Sequence, residues 1–303
     1  MKPFLKNLLV LVLLPILLLR RLYFWHNTNK SKLPGKEFAK FGFKIAKQLL
    51  FKGNLSPRLL LNPVSIVRYF EFDFANINSQ LKDDIKVLDI SSPYLFGFYQ
   101  ANKFKLEYRY INPDPKDLNN VISLSAKNKF RSDYIARQMD ALNLDYPDNY
   151  FDRVISISVI EHIKEDGDSE AMKEIWRVLK PGGFFIFSVP VKKMFEIEYS
   201  QKDEYNLNTE IKSGEYFFQR IYDQQKIDER LLSSINNYEI ISRKVFGCIE
   251  KAFYQEYKNR WIKYSYWETV KDPYYISTKF DYFNDINELV DIGVIGLTIK
   301  KLI

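Results

Sequence analysis

One cysteine, Cys248, stands in the 303-residue chain, so no intrachain disulfide framework is open to it and the folded part suits a reducing compartment. A lone cysteine of this kind reads as a small buried apolar residue. Histidine is nearly as scarce, His26 and His162 being the whole supply. Nothing approaches zinc-ligand spacing, and no metal is expected. Internal repeats and low-complexity tracts are also missing, which excludes a repeat array. With 46% hydrophobic and 27% charged residues, the chain can bury an ample core and is not a disordered protein. Acid is missing where base is abundant: residues 1–52 hold eleven Lys/Arg against Glu37 alone, a segment charge of +10 that leaves −3 for the remainder of a chain whose total is +7. A basic excess confined beside an apolar segment points to anionic lipid head groups, at roughly 1 kcal/mol per Lys/Arg. The near-neutral body argues against a nucleic-acid partner.

The apolar segment is Leu8 to Leu19, unbroken, with Lys6 before it and Arg20-Arg21, then Leu22-Tyr23-Phe24-Trp25, after it. No small-x-small cleavage site follows, which speaks against a secretory signal. A straight span needs about 20 residues and the run is shorter. Two forms of attachment stay open: a span reaching Trp25 with Arg20 and Arg21 buried or snorkelling, or a re-entrant or in-plane helix kinked at Pro15. Residues 1–25 are read as a membrane anchor in either form, and residues 26–80 as a basic, amphipathic helical segment. Within it, Phe38, Phe41, Ile45 and Leu49 repeat at helical steps over Lys36 to Phe51, with lysines opposite. Val64 to Phe74 predicts a short helix in which Arg68 and Glu71, three apart, are placed to pair as a surface contact of little weight.

From residue 81 to 303 the pattern is that of one α/β domain, short apolar runs alternating with polar helical stretches. Strands are predicted at Lys86–Ile90, Leu106–Ile111, Ala136–Asp140, Arg153–Ser158 and Gly183–Val189, then at Tyr238–Phe246 and Gly293–Leu302. Helices are predicted at Asp168–Leu179 and Tyr222–Ile235. Two stretches lie outside this core: 191–221 and 247–291, both rich in aromatics.

The first strand ends Val87-Leu88-Asp89-Ile90-Ser91-Ser92-Pro93, an acid followed by small residues at the carboxyl end of a strand, where open parallel sheets bind ligands. About one βαβ unit later the second ends Tyr110-Ile111-Asn112-Pro113-Asp114, and then come Met139-Asp140-Ala141, Val159-Ile160-Glu161-His162-Ile163 and Trp176-Arg177-Val178-Leu179-Lys180-Pro181-Gly182-Gly183. In this order and spacing the stretch from Ile85 to Pro190 resembles the class I S-adenosylmethionine-dependent methyltransferases, the group acting on small molecules, lipids and quinones in particular. The resemblance implies a Rossmann-like, doubly wound α/β fold whose seven-stranded sheet has an antiparallel last strand, here carrying an N-terminal membrane-anchor helix and the two aromatic-rich insertions. It implies S-adenosylmethionine as cofactor, with Asp89, Ser91, Ser92 and Pro93 under its amino-acid moiety, Asn112 and Asp114 at the ribose, Asp140 and Ala141 at the adenine, and Ser158 at the end of the fourth strand beside it. The family's first loop carries glycines where this chain has Ser91, Ser92 and Pro93, and its second strand ends in an acid where this chain has Asn112. No G-x-G-x-x-G follows the first strand, which disfavours a nicotinamide oxidoreductase.

Methyl transfer from a sulfonium needs no protonation of the leaving group, so alignment and water exclusion are the main tasks. A base is needed only for a protonated acceptor such as a hydroxyl. His162, with Glu161 beside it, is the candidate, since its side chain titrates near neutrality; the alternative is that Glu161 pairs locally and His162 fills the loop. Aromatics in the two insertions suit a sugar, a prenyl or aryl group, or a lipid headgroup, or simply fill a subdomain core. Arg220 and Arg260 are candidates for a phosphate or carboxylate. The expectation is a membrane-associated, cytoplasm-facing methyltransferase acting on a hydroxyl of a lipid, glycan or small-molecule acceptor. A non-catalytic, membrane-tethered scaffold with a degenerate fold is the alternative.

Overall fold

Strands buried on both faces need continuous apolar residues, whereas the helices that cover them need a single apolar stripe; the chain after Asp84 supplies both in alternation. The computed structural model of the chain describes residues 3–205, 210–212 and 214–303, without the side chains of 3–11, 211 and 212. Four helices lead in: α1 (Pro3–Asn27), α2 (Lys36–Phe51), α3 (Pro57–Leu61) and α4 (Arg68–Asn78). There follow β1 (Lys86–Ile90), α5 (Tyr94–Lys103), β2 (Glu107–Ile111), α6 (Pro115–Ser125), β3 (Asp133–Arg137), β4 (Phe151–Ile157), α7 (Gly167–Val178) and β5 (Leu179–Val191). Next are β6 (Glu196–Ser200), β7 (Glu210–Lys212), β8 (Glu215–Ile221) and a helical stretch that α8 (Gln224–Lys226) opens and a π-type and a 3-10 turn carry to Ser234. The chain ends with β9 (Tyr238–Cys248), α9 (Phe253–Tyr264), α10 (Tyr266–Thr269), α11 (Asp272–Lys279), β10 (Phe280–Phe283) and β11 (Gly293–Lys301).

Among the described residues eight strands form one sheet in the order β10-β9-β11-β5-β4-β1-β2-β3. β3, β2, β1, β4 and β5 run parallel, and β11 is antiparallel to β5, with Leu297 opposite Phe187. The sheet is thus Rossmann-like, but it has eight strands rather than the expected seven. β10 is the addition: its four residues lie inside the stretch read as the 247–291 insertion, too short to show a period of their own. Residues 191–221, also read as an insertion, contribute a separate antiparallel sheet, β6-β8-β7. β3 lies three residues earlier than expected because pairing with β2 sets its ends, Asp133 opposite Glu107 and Arg137 opposite Ile111. Met139, which suggested the later strand, packs on the core from the loop that follows. Leu88, Ile90, Val154, Ile175, Phe185, Phe187 and Leu297 share that core, and near its start β5 passes through Gly182 at φ 77°, where a side chain would be strained.

The chain divides into two compact units. The first joins the residues up to Asp73 with Gly247–Asp281; the second is Phe74–Phe246 with Tyr282–Ile303. In the first, α2 has the predicted bounds and buries Phe38, Ala39, Gly42, Ile45, Ala46 and Leu49. The helix expected at Val64–Phe74 begins instead at Arg68, because the amides of Arg68 and Tyr69 are tied back to the carbonyls of Ser65 and Ile66 in the preceding turn. Arg68 and Glu71 do pair, at 2.5 Å. α1 continues through Pro15 and lays Leu13, Leu14, Leu17 and Leu18 against Leu61, Val270 and Tyr266. Among the described residues no helix is long and apolar enough to cross a membrane. Leu8 to Leu11 of the expected anchor lie outside the residues whose side chains are described. Arg20 and Arg21, expected to snorkel or flank a membrane, turn onto protein instead: Arg20 Nε donates to the Trp267 carbonyl at 3.0 Å and an Arg21 guanidinium N–H to the Leu60 carbonyl at 2.7 Å.

Candidate active site

All the parallel strands of the second unit end on one edge, and the order reverses between β1 and β4, the switch point at which open α/β sheets bind ligands. Ser91–Pro93 follows β1, Asn112–Asp114 follows β2, Asp140 and Ala141 follow β3, and Ser158, Glu161 and His162 follow β4. The predicted residues therefore share the carboxyl edge of the sheet, within which they divide by what their side chains already do.

Asp89 is buried at the end of β1. One carboxylate oxygen accepts the Ser92 amide at 3.0 Å and the other the Tyr108 hydroxyl at 2.5 Å. Burial pushes the carboxyl up to about 6, against the pull of these hydrogen bonds. Tyr108 stacks on Tyr134, centroids 5.3 Å apart, and burial followed by the nearby Asp89 charge holds the Tyr108 phenol well above its ordinary range. Asp89 thus braces the loop from below. Ser91 takes the left-handed conformation, φ 52°, which glycine adopts most readily. Its hydroxyl donates to the Ile111 carbonyl at 2.9 Å, so the loop keeps a glycine-like backbone with a serine. Ser92 Oγ accepts the Ile157 amide at 3.1 Å, linking the loop to β4, and Pro93 opens α5. Gly97 keeps α5 close: a Cβ there would sit 3.0 Å from the Tyr108 hydroxyl and 3.2 Å from Asp89.

Asn112, expected at the ribose, is bonded on three sides. Its amide nitrogen donates to Tyr110 at 3.2 Å and to Asp117 at 2.9 Å, and its oxygen accepts the Asp114 amide at 2.9 Å. Asp114 caps α6 by accepting the Lys116 amide at 2.8 Å, a helix-terminus task that Pro115 at the first helical position favours. On the adenine side Asp140 is exposed and accepts the Leu142 amide at 3.0 Å, while Ala141 is buried. An exposed carboxylate supplies the acceptor that an adenine amino group needs. Ser158, at φ 48°, donates its amide to the Ser188 carbonyl at 3.0 Å. The exposed Asp140 carboxylate fits a nucleoside-bearing cofactor, whereas the side-chain N–H groups of Asn112 are already taken by Tyr110 and Asp117.

Glu161 is buried and His162 nearly so. His162 Nδ1 lies 2.7 Å from the Phe218 carbonyl; a carbonyl only accepts, so Nδ1 carries the proton and Nε2 the lone pair in the neutral ring. Nε2 lies 3.2 Å from the Tyr205 hydroxyl and 3.7 Å from Glu161. Tyr205 and Phe218 stack in parallel, centroids 6.1 Å apart. Phe218 of β8 and Tyr205, in the segment between β6 and β7, therefore supply the partners that orient His162. The β6–β8 sheet is tied to the His162 loop by Arg220, which donates to the carbonyls of Ile163 and Glu165 and lies 3.6 Å from Asp168. Asp168 also takes Arg230 at 2.8 Å and the Tyr222 hydroxyl at 2.8 Å. Arg220 is thus spent within the fold, as is Arg260, 2.8 Å from Glu268, and neither is held out for a phosphate. Sequence reasoning missed the Asp168 cluster and the Tyr205–Phe218 partnership. The signal available was the alternation in Glu196-Ile197-Glu198-Tyr199 and Glu215–Ile221, which marks strands.

Residues 96–187 match the family model described as a methyltransferase domain. A 51-residue stretch is 43% identical to the tRNA (carboxymethyluridine(34)-5-O)-methyltransferase of Arabidopsis thaliana, and covers 16% of this chain and 13% of that enzyme. Among solved structures, coclaurine N-methyltransferase bound to N-methylheliamine and S-adenosylhomocysteine is similar at TM-score 0.50 and 11% identity, over 76% of this chain and 69% of that one. A SAM-dependent methyltransferase from Methanosarcina mazei is similar at TM-score 0.48 and 15% identity, over 75% of this chain and 98% of that one. Residues 96–187 therefore form a methyltransferase domain, and S-adenosylmethionine is its cofactor.

Proposed function

We propose that the chain methylates a hydroxyl on a membrane-associated lipid, glycan or small-molecule acceptor, with its catalytic domain facing the cytoplasm. One observation carries the hydroxyl: the Phe218 carbonyl fixes the His162 tautomer, leaving a basic Nε2. When bound, the cofactor supplies an electrophilic methyl carbon on a sulfonium. Asp140 and Ala141 would hold its adenine, Asn112 its ribose, and the Ser91–Pro93 loop braced by Asp89 its amino-acid moiety. His162 Nε2 would take the proton of the acceptor hydroxyl, and Glu161 would steady the resulting imidazolium. Water exclusion falls to the β6–β8 sheet with the Tyr205 and Phe218 rings. The segment shared with the tRNA enzyme is too short to transfer that enzyme's substrate, and the −3 charge outside residues 1–52 does not favour RNA.

Three measurements test the proposal. Calorimetric titration with S-adenosylmethionine and its demethylated product is expected to show binding of both; binding of neither would leave a membrane-tethered scaffold with a degenerate fold. Methyl-labelled cofactor given with host membrane and cytosol extracts is expected to label a membrane compound. His162→Gln is expected to lower turnover about 10²-fold or more while leaving cofactor binding intact; full turnover across pH would remove His162 as base.

A further inference from the structure

α1 has two apolar faces, and the protein covers one. Leu13, Leu14, Leu17 and Leu18 are packed, and Arg20 and Arg21 bend the same way, their guanidiniums 4.3 Å from the rings of Trp267 and Phe43 respectively. Opposite them Val12, Ile16, Leu19 and Tyr23 are 69%, 51%, 68% and 63% exposed. Their spacing of four, three and four residues makes one stripe along the helix. Leu22, 52% exposed, borders it, and no charged side chain interrupts it between Val12 and Tyr23. A contiguous apolar strip of this length marks a site of association.

We infer that this stripe is a docking face for an anionic lipid bilayer, with α1 lying in the plane of the interface. The inference deepens the membrane half of the proposed function and rests on that reading, while being independent of methyl transfer. Charge selects the occupant. In the same unit, Lys36, Lys40, Lys44 and Lys47 form an exposed stripe along α2, and Glu37 is the only acid in residues 1–52. Such a surface is attracted to anionic head groups, at about 1 kcal/mol for each lysine that reaches them. Trp261, Tyr264 and Trp267 are exposed in this unit too, 50%, 48% and 41%, and amphipathic rings of this kind favour the headgroup level. The in-plane orientation follows from the arginines. Drawing α1 into the hydrocarbon as far as Trp25 would strip Arg20 and Arg21 of the Trp267 and Leu60 carbonyls that satisfy them. Lying flat, the helix keeps those bonds and sinks its free stripe about 5–10 Å into the headgroup and acyl boundary.

The test is co-flotation of the full chain with vesicles of phosphatidylcholine containing 30% phosphatidylglycerol, and with pure phosphatidylcholine vesicles, together with calorimetric titration of S-adenosylmethionine on the same samples. Binding is expected to the anionic vesicles and to weaken with salt. Ile16→Glu with Leu19→Glu is expected to lower partitioning at least about tenfold without shifting the melting temperature. Lys40→Glu with Lys44→Glu and Lys47→Glu, which leaves the stripe intact, is expected to lower it at least about tenfold on anionic vesicles only. Three results would overturn the inference: no binding by the wild-type chain, equal binding by all three proteins, or a wild-type dimer that the Ile16/Leu19 variant abolishes while vesicle binding is unaffected. Vesicle binding without cofactor binding would uphold the docking face and sink the methyl-transfer reading instead.

Discussion

Asp168 in the second unit and Asp272 in the first are both completely buried, and their carboxyls are met in opposite ways. In the second unit Asp168 meets the guanidiniums of Arg230 at 2.8 Å and Arg220 at 3.6 Å, together with the Tyr222 hydroxyl. In the first, Asp272 is met by neutral donors, the Asn62 side-chain amide at 2.8 Å, the Ile66 backbone amide at 3.1 Å and the Tyr257 hydroxyl at 2.9 Å. Burial pushes Asp272 up to about 7 despite these three hydrogen bonds. Dipoles oriented by the fold can hold a buried carboxyl in place without making its charge comfortable. Cations hold it in place and also bind the segments that carry them, which is how Asp168 ties the β6–β8 sheet to the loop of His162.

The largest effect is expected from breaking the charged case. Asp168→Asn leaves the buried Arg220 guanidinium without its counter-charge and Arg230 with the exposed Asp166 alone, at a cost of roughly 3–5 kcal/mol. With the His162 loop loosened, kcat is expected to fall more than KM. Because a chain of two units need not unfold in one step, hydrogen exchange resolved by segment is the suitable readout.

The neutral case is sharpened by pH. A carboxyl whose folded value lies above its unfolded value of 3.8 contributes stability that is complete below about pH 4 and is lost as the pH rises through about 7. The full change amounts to about 4 kcal/mol. Asp272→Asn is expected to erase this slope in the exchange protection of α9 and α11. Its amide oxygen can accept from Asn62 and Ile66 while its nitrogen donates to Tyr257, so the variant should fold. An unchanged slope would show that Asp272 does not titrate in this window.

The smallest test compares the two phenols. Tyr257→Phe removes one of three neutral donors and is expected to cost about 2 kcal/mol and to move Asp272 further up; Tyr222→Phe, with the arginines still beside Asp168, is expected to cost about 1 kcal/mol. Equal costs by equilibrium unfolding would erase the distinction between the two sites.

The pattern of short buried strands made the α/β sheet legible, and the helix at Lys36–Phe51 was legible to the residue, because both depend on local periodicity. β10 was not legible: a strand of four residues is created by the neighbour it pairs with, and its own sequence carries no period. The same cause placed β3 at Asp133–Arg137, where pairing with β2 outweighed the apolar Met139. At the candidate site the loops could be placed from order and spacing. The engagement of Asn112 by Tyr110 and Asp117, and of Asp114 as a helix cap, could not, since a polar side chain near a strand end reads alike whether it is free or bonded. Arg20 and Arg21 illustrate the limit most plainly. As sequence they bound an apolar run and suggest a membrane flank; folded, they reach the carbonyls of Trp267 and Leu60, residues far along the chain.

By itself the sequence determined the class of fold, the order of the loops at the carboxyl edge and the confinement of basic charge to residues 1–52, all of which are local patterns or sums over composition. Tertiary structure alone decided which nitrogen of His162 is basic, which arginines are consumed, and which face of α1 is left bare. Each of these depends on a partner brought close from elsewhere in the chain, and hydrogen bonds and desolvation act over a few ångströms of space whatever the separation in sequence.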